Sequence, residues 1–136
     1  MERLLRMGCY SLIFASRMTL PHFSFSAAIN RPKLASAGIG TSSHVAGELF
    51  KMMTGVDMVH VPYRGGAPVA ADLVSGKIQV SFSPLVEVLQ QVRAGKLRAL
   101  GVTTARRSAL LPEVPAISEV IPGYEVALWN GIMGPA

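Results

Sequence analysis

The sequence predicts an α/β fold in which βαβ units surround a mainly parallel sheet. Three observations predict it. Segments rich in β-branched residues alternate with segments of helical spacing, and each helical segment stops at a glycine. The chain has 136 residues, half of them hydrophobic and 15% charged, which suits one compact domain with a moderate core.

The elements follow in order. From about Ser43 to Met53, Ala46, Leu49, Phe50 and Met53 share one face at helical spacing, and Gly55 stands where a left-handed terminating residue is needed. "VDMVHVP" then reads as a strand closed by Pro62 and the turn "YRGGAP". A short helix begins near Pro68, runs through Ala70, Leu73 and Val74, and ends at Gly76. "KIQVSF" alternates as a strand with Ile78, Val80 and Phe82 on one side. Ser83 and Pro84 read as a cap and a first-turn proline. Leu85, Val88, Leu89 and Val92 form the next helical stripe before Gly95, and "KLRALGVT" is the next strand. Pro115 opens a short helical turn before Gly123, and "YEVALWNGIMG" is a last extended stretch.

Residues 1–30 differ from the rest and read as an atypical leader, signal-like or disordered. Charge at Glu2, Arg3 and Arg6 precedes the apolar "MGCYSLIFA", and small residues follow at "SFSAA". Arg17 interrupts this imitation of a secretory signal, and Arg6 occupies the place where a lipoprotein signal has an aliphatic residue before Cys9. This end of the chain therefore does not establish export.

Charge and cysteine content remove several functions. Thirteen basic and eight acidic side chains give a formal charge of +5, but Arg3, Arg6, Arg17 and Arg31 all lie in the first quarter. The other basic groups are scattered, without an aromatic-basic stripe, so no nucleic-acid partner is expected while an anionic small molecule is. One cysteine permits neither an intrachain disulfide nor a multi-thiolate metal site.

Right-handed crossovers place every strand-to-helix loop on one edge of the sheet, and ligands of open α/β sheets bind there. The loops are "SAGIGTSS", "PYRGGAP", "SFSP" and "VTTARR". In the first, Gly38 and Gly40 admit positive φ and close ligand approach, while Thr41, Ser42 and Ser43 bring hydroxyls and amides to a helix start that favours an anion. The alternative is that a serine caps its own helix and the glycines serve the turn. The loop is neither a P-loop nor a dinucleotide fingerprint: no Gly-Lys-Ser/Thr follows, and a third glycine is lacking.

Catalysis has little support. Ser42 and Ser43 neighbour His44 in sequence, but neighbours on a helix do not face one another, and "GTSSH" is not the Gly-x-Ser-x-Gly elbow. The acidic residues are dispersed, and His44 and His60 have no carboxylate cluster beside them to complete a metal site. No catalytic residue, metal or cofactor is expected.

"SAGIGTSSHVAGELFKMMTGVDMVHVPYRGGAPVAADLVSGKIQV", with the later "RAGKLRALGVT", "LPEVPAISE" and "PGYEVALWNG", closely resembles the solute receptors of tripartite tricarboxylate transporters, the TctC or Bug family. The likeness runs in order through about residues 32 to 136. It implies one lobe of a type II periplasmic-binding-protein fold, residues 31–136 being the second lobe with the first lobe missing. It also implies a periplasmic location, a small mono- or dicarboxylate ligand, and the permease subunits of a tripartite transporter as partners.

Carried over residue by residue, the resemblance makes Ala37, Gly38, Thr41 and Ser42 the carboxylate grip and His44 a supporting group. Tyr63 and Arg64 fall beside the cleft, Arg64 being the weaker candidate. The position of Ser83 often carries an aspartate in the family, and serine there favours a plain carboxylate over an amino acid. Half of a two-lobed site cannot close on a ligand, so affinity is expected to fall. Trp129, Ile132 and Met133, in the strand that would return to the first lobe, are expected to expose an apolar edge and promote self-association. The alternatives are a non-functional truncated remnant and, with less support, an α/β enzyme domain acting on an anionic metabolite.

Overall fold

A computed structural model describes residues 11–15 and 31–127. The elements are β1 (Ser11–Ala15), β2 (Lys33–Ser36), α1 (Ser42–Thr54), β3 (Val59–Pro62), α2 (Gly66–Ser75), β4 (Val80–Pro84), α3 (Leu85–Arg93) and β5 (Arg98–Val102), followed by a 3-10 turn, Ile117–Glu119. The apolar edge expected at Trp129, Ile132 and Met133 lies outside the described residues.

The five strands form one sheet in the order β3-β2-β4-β1-β5. β2 pairs in parallel with both β3 and β4, as the alternating pattern predicts. β1 runs antiparallel to β4 and to β5, with Ser11 opposite Pro84 and Leu12 opposite Val102. Ser11–Ala15, part of the apolar run that imitates a secretory signal, thus forms a strand between β4 and β5. Five apolar or small residues satisfy a signal's apolar middle and a strand alike, and periodicity does not separate the two.

Adjacent residues of β2 point to opposite faces, and each face has its own core. Leu34 packs with Ala46 and Phe50 of α1 and with Val80 and Phe82 of β4. Ala35 packs with Val69 and Leu73 of α2 and with Leu85 and Val88 of α3. The result is a helix–sheet–helix sandwich, and β4, buried on both faces, runs through its middle. Phe82 and Leu34 are fully buried, each stabilising the fold by about 1.5–3 kcal/mol relative to exposure. Tyr124 closes the α1 face edge-on to Phe50, with ring centroids 6.1 Å apart, and donates its hydroxyl to the Ala46 carbonyl at 2.9 Å. Burial alone pushes that phenol's pKa up.

Four local expectations shift. The buried stripe of α1 is Ser43, Ala46, Gly47 and Phe50 rather than one reaching Met53, because Gly47 lets the helix settle on Leu34. β4 begins at Val80, and Ile78, in the bend before it, packs with Leu73 on the opposite face from Val80. Ser83 lies within β4 and the N-cap of α3 is Pro84, so Ser83 does not cap that helix. Residues 124–127 form no strand, and Val126 is instead tied to Thr103 by two hydrogen bonds of 2.9 and 2.8 Å.

The winding sets the place of the site. From β2 the chain moves outward to β3, then returns across β2 to β4, so its direction reverses between β2 and β4. Loops leaving the carboxyl ends of two such strands diverge to opposite faces and leave a crevice between them.

Candidate functional site

Residues 37–41 leave β2 and enter α1 as a loop held by its own polar atoms. Gly38 and Gly40 have φ values of 147° and 79°, as the glycine spacing predicts. Thr41 donates its hydroxyl to the Gly38 carbonyl at 2.7 Å, and its amide reaches the same oxygen at 3.4 Å. The Ala37 amide donates to Ser43 Oγ at 3.0 Å, and Ser43 Oγ lies 2.9 Å from Thr41 Oγ1. The neighbouring loop is stitched alongside: the Tyr63 amide donates to the Ser36 carbonyl at 2.9 Å and the Gly65 amide to Ala37 at 3.0 Å.

These bonds leave the start of α1 without a side-chain cap. Thr41 is the N-cap residue in extended conformation, but its hydroxyl is turned back to Gly38 and makes no capping bond. The first intrahelical bond runs from the Val45 amide to the Thr41 carbonyl at 3.0 Å. The amides of Ser42, Ser43 and His44 lie within the first turn, where the helix offers donors without helical acceptors. Ser42 is half-buried and Ile39 stands fully out at the loop tip, 78% exposed. The first turn contains no acidic side chain that would compete for these donors.

The start of α2 is different. An added Cβ at Gly66 would overlap the Glu87 carboxylate, so a side chain from α3 already lies over the first turn of that helix. Sequence reasoning missed this, because Glu87 is twenty-one residues from Gly66 and only the sheet order brings α2 and α3 together.

His44 and His60, weighed in the sequence only as possible metal ligands, meet ring to ring. Their rings stack with centroids 4.2 Å apart and 17° between planes. His44 Nδ1 accepts the Gly40 amide at 3.1 Å, and His60 Nε2 lies 2.7 Å from Ser36 Oγ. Burial lowers the pKa of His60 first, and the neighbouring His44 lowers it further. The serine–histidine contact that forms is therefore Ser36–His60, and Ser36 is fully buried, out of reach of any substrate. Among the described residues no three His, Cys, Asp or Glu side chains gather as a metal site.

The other sequence candidates divide. Arg64 is exposed on its turn. The Tyr63 hydroxyl donates to Asp72 Oδ2 at 2.6 Å, and Lys77 pairs with the same oxygen at 2.9 Å. This three-residue link spans the two ends of α2, and the hydrogen bond to Asp72 raises the phenol's pKa. Ser83 is buried at the end of β4, with its Oγ 2.8 Å from Ser81 Oγ. Ala37, Gly38 and Thr41 thus lie on one loop with Ser42 and His44 in the helix turn it leads into, whereas the hydroxyls of Tyr63 and Ser83 pair with Asp72 and Ser81.

The family model of the tripartite tricarboxylate transporter family receptor matches residues 18–136. The chain belongs to this TctC receptor family. The match reaches back to residue 18, so the second half of the segment read as a leader also carries family likeness.

Among relatives of the TctC chain, the UPF0065 protein of the tcbD-tcbE intergenic region of a Pseudomonas sp. is 44% identical over 103 residues, 74% of this chain and 31% of that protein. BugT of Bordetella pertussis is 33% identical over 98 residues, 71% of this chain and 30% of BugT. The Rhodopseudomonas palustris protein Rpa4515, solved with adipate, superposes with a TM-score of 0.79 at 33% identity, covering 88% of this chain and 42% of that one. MatC from the same organism, solved with bound malate, gives 0.78 at 26% identity over 88% and 43%. The chain thus spans under half the length of these four proteins.

Proposed function

We propose that this TctC chain is the second lobe of a solute receptor, that its α1 start grips one carboxylate of a small mono- or dicarboxylic acid, and that the ligand passes to the permease subunits of a tripartite transporter. The observation that carries the reading is the uncapped first turn of α1, framed by Gly38, Thr41 and Ser42. Amides preorganised by the loop's internal bonds favour an anion, and the helix dipole adds to them. Family membership and relatives solved with adipate and malate support the ligand class.

In this reading Ala37, Gly38, Thr41 and Ser42 contact the ligand and His44 supports the loop. Ser83, uncharged and buried against Ser81, offers no partner to a ligand amino group, which favours plain carboxylates over amino acids. The role is binding rather than catalysis, and the place of action is the periplasm, as for the structural neighbour described as periplasmic binding protein BugD.

Thermal unfolding with millimolar mono- and dicarboxylates, and phosphate as control, tests the reading. A selective rise in melting temperature with carboxylates, lost in Ser42→Ala, is the expected result, because a ligand that binds only the native state stabilises it. Equal shifts with phosphate, or none with any acid, contradict it.

A further inference from the structure

We infer that His60 is a positioning residue for the carboxylate loop, acting through its stack on His44. The inference rests on the receptor reading for its ligand and on geometry alone for its mechanism. Residues 37–41 are held from below at both ends by the two rings. His60 meets Ser36, whose Oγ is 3.1 Å from the Gly38 carbonyl and accepts the Gly38 amide at 3.3 Å. His44 accepts the Gly40 amide. The rings stand 4.2 Å apart on two different elements, so the stack joins the loop's entry on β2 to its exit into α1.

The bond at Gly40 fixes a tautomer. An amide N–H donates to Nδ1, so in the neutral ring the proton sits on Nε2, 3.9 Å from Glu48 Oε1. In the tautomer with its proton on Nε2, His60 donates to Ser36 Oγ, which then donates to the Gly38 carbonyl, so the second ring continues the loop's hydrogen-bond chain. Among the described residues, the other charged groups acting on His60 are Glu48 and Lys51 of α1, themselves paired at 3.0 Å. Burial first, and the neighbouring His44 next, lower the His60 pKa.

Losing one such bond corresponds to about a three- to tenfold loss of affinity. Calorimetric titration with adipate at about pH 8, where a carboxylate is ionised, is expected to show His60→Ala binding three- to tenfold more weakly than the parent chain, and His60→Phe, which keeps a ring to stack, recovering most of the loss. The ligand-free readout is the Gly40 amide by NMR: its hydrogen exchange quickens in a folded His60→Ala variant and returns toward the parent rate in His60→Phe. If adipate never binds but the Gly40 amide still responds to His60→Ala, the loop coupling stands and the receptor reading falls. A Gly40 amide indifferent to His60→Ala overturns the inference.

Discussion

The Ala37 amide and Ser43 Oγ, six residues apart across the glycine loop, form a hydrogen bond of 3.0 Å that closes the loop on the first turn of α1. Ser43 is 5% exposed, whereas Ser42 beside it is half-buried at the open edge. Two adjacent serines therefore have different tasks. Ser43→Ala is expected to lower stability by about 1–2 kcal/mol, because it leaves the Ala37 amide without its partner. Ser42→Ala is expected to change stability by less than about 0.5 kcal/mol. Urea unfolding of the two variants checks the contrast.

Gly47 lies against Leu34 where α1 crosses β2, and a Cβ at residue 47 would overlap the Leu34 side chain. Leu34 is fully buried and cannot swing aside. Gly47→Ala is expected to cost about 1–3 kcal/mol by overpacking, despite alanine's better helix propensity. Adding Leu34→Val should recover part of that loss, and a double-mutant cycle in denaturant unfolding measures the coupling.

Tyr63 divides the site from its scaffold. Its hydroxyl is spent on Asp72 and lowers the pKa of that carboxylate. Tyr63→Phe is expected to raise the Asp72 pKa, measured by NMR titration, while leaving carboxylate-induced stabilisation intact. A matching loss of ligand response would return the hydroxyl to the ligand.

Arg107 holds both oxygens of Glu119, at 2.8 and 2.7 Å, and the Ala116 amide adds a third bond at 3.0 Å. Arg107 above all, then the amide, brings the Glu119 carboxyl down to about 2 from its usual 4.5. A carboxylate whose folded pKa is depressed adds stability above its unfolded pKa and loses it as pH falls through the folded one. The contribution should therefore fade between about pH 4.5 and 2. Both groups are nearly half exposed, so solvent and salt screen the pair. Glu119→Gln is expected to flatten this stretch of the stability–pH curve, and high salt to shrink the difference.

Much of this was legible in the sequence, for identifiable reasons. The glycines at 55 and 76 end α1 and α2 in left-handed conformation, as their place after the apolar stripes predicts. The loop at Gly38 and Gly40 also follows from local chemistry. What the sequence concealed depends on sheet order. His60 joins His44 because Leu34 pairs with His60 in the β2–β3 ladder, placing the second histidine on the face that α1 covers. Glu87 reaches Gly66 because α2 and α3 lie on one face. The strand at Ser11–Ala15 was hidden by its likeness to a signal's apolar middle.

The most direct test of the carboxylate grip is an NMR titration of the isotope-labelled chain with adipate. The account predicts saturable shifts centred on the Ser42, Ser43 and His44 amides and on Gly38, with the β3 and β5 amides unmoved. Shifts centred elsewhere, or none in a folded chain, would contradict it.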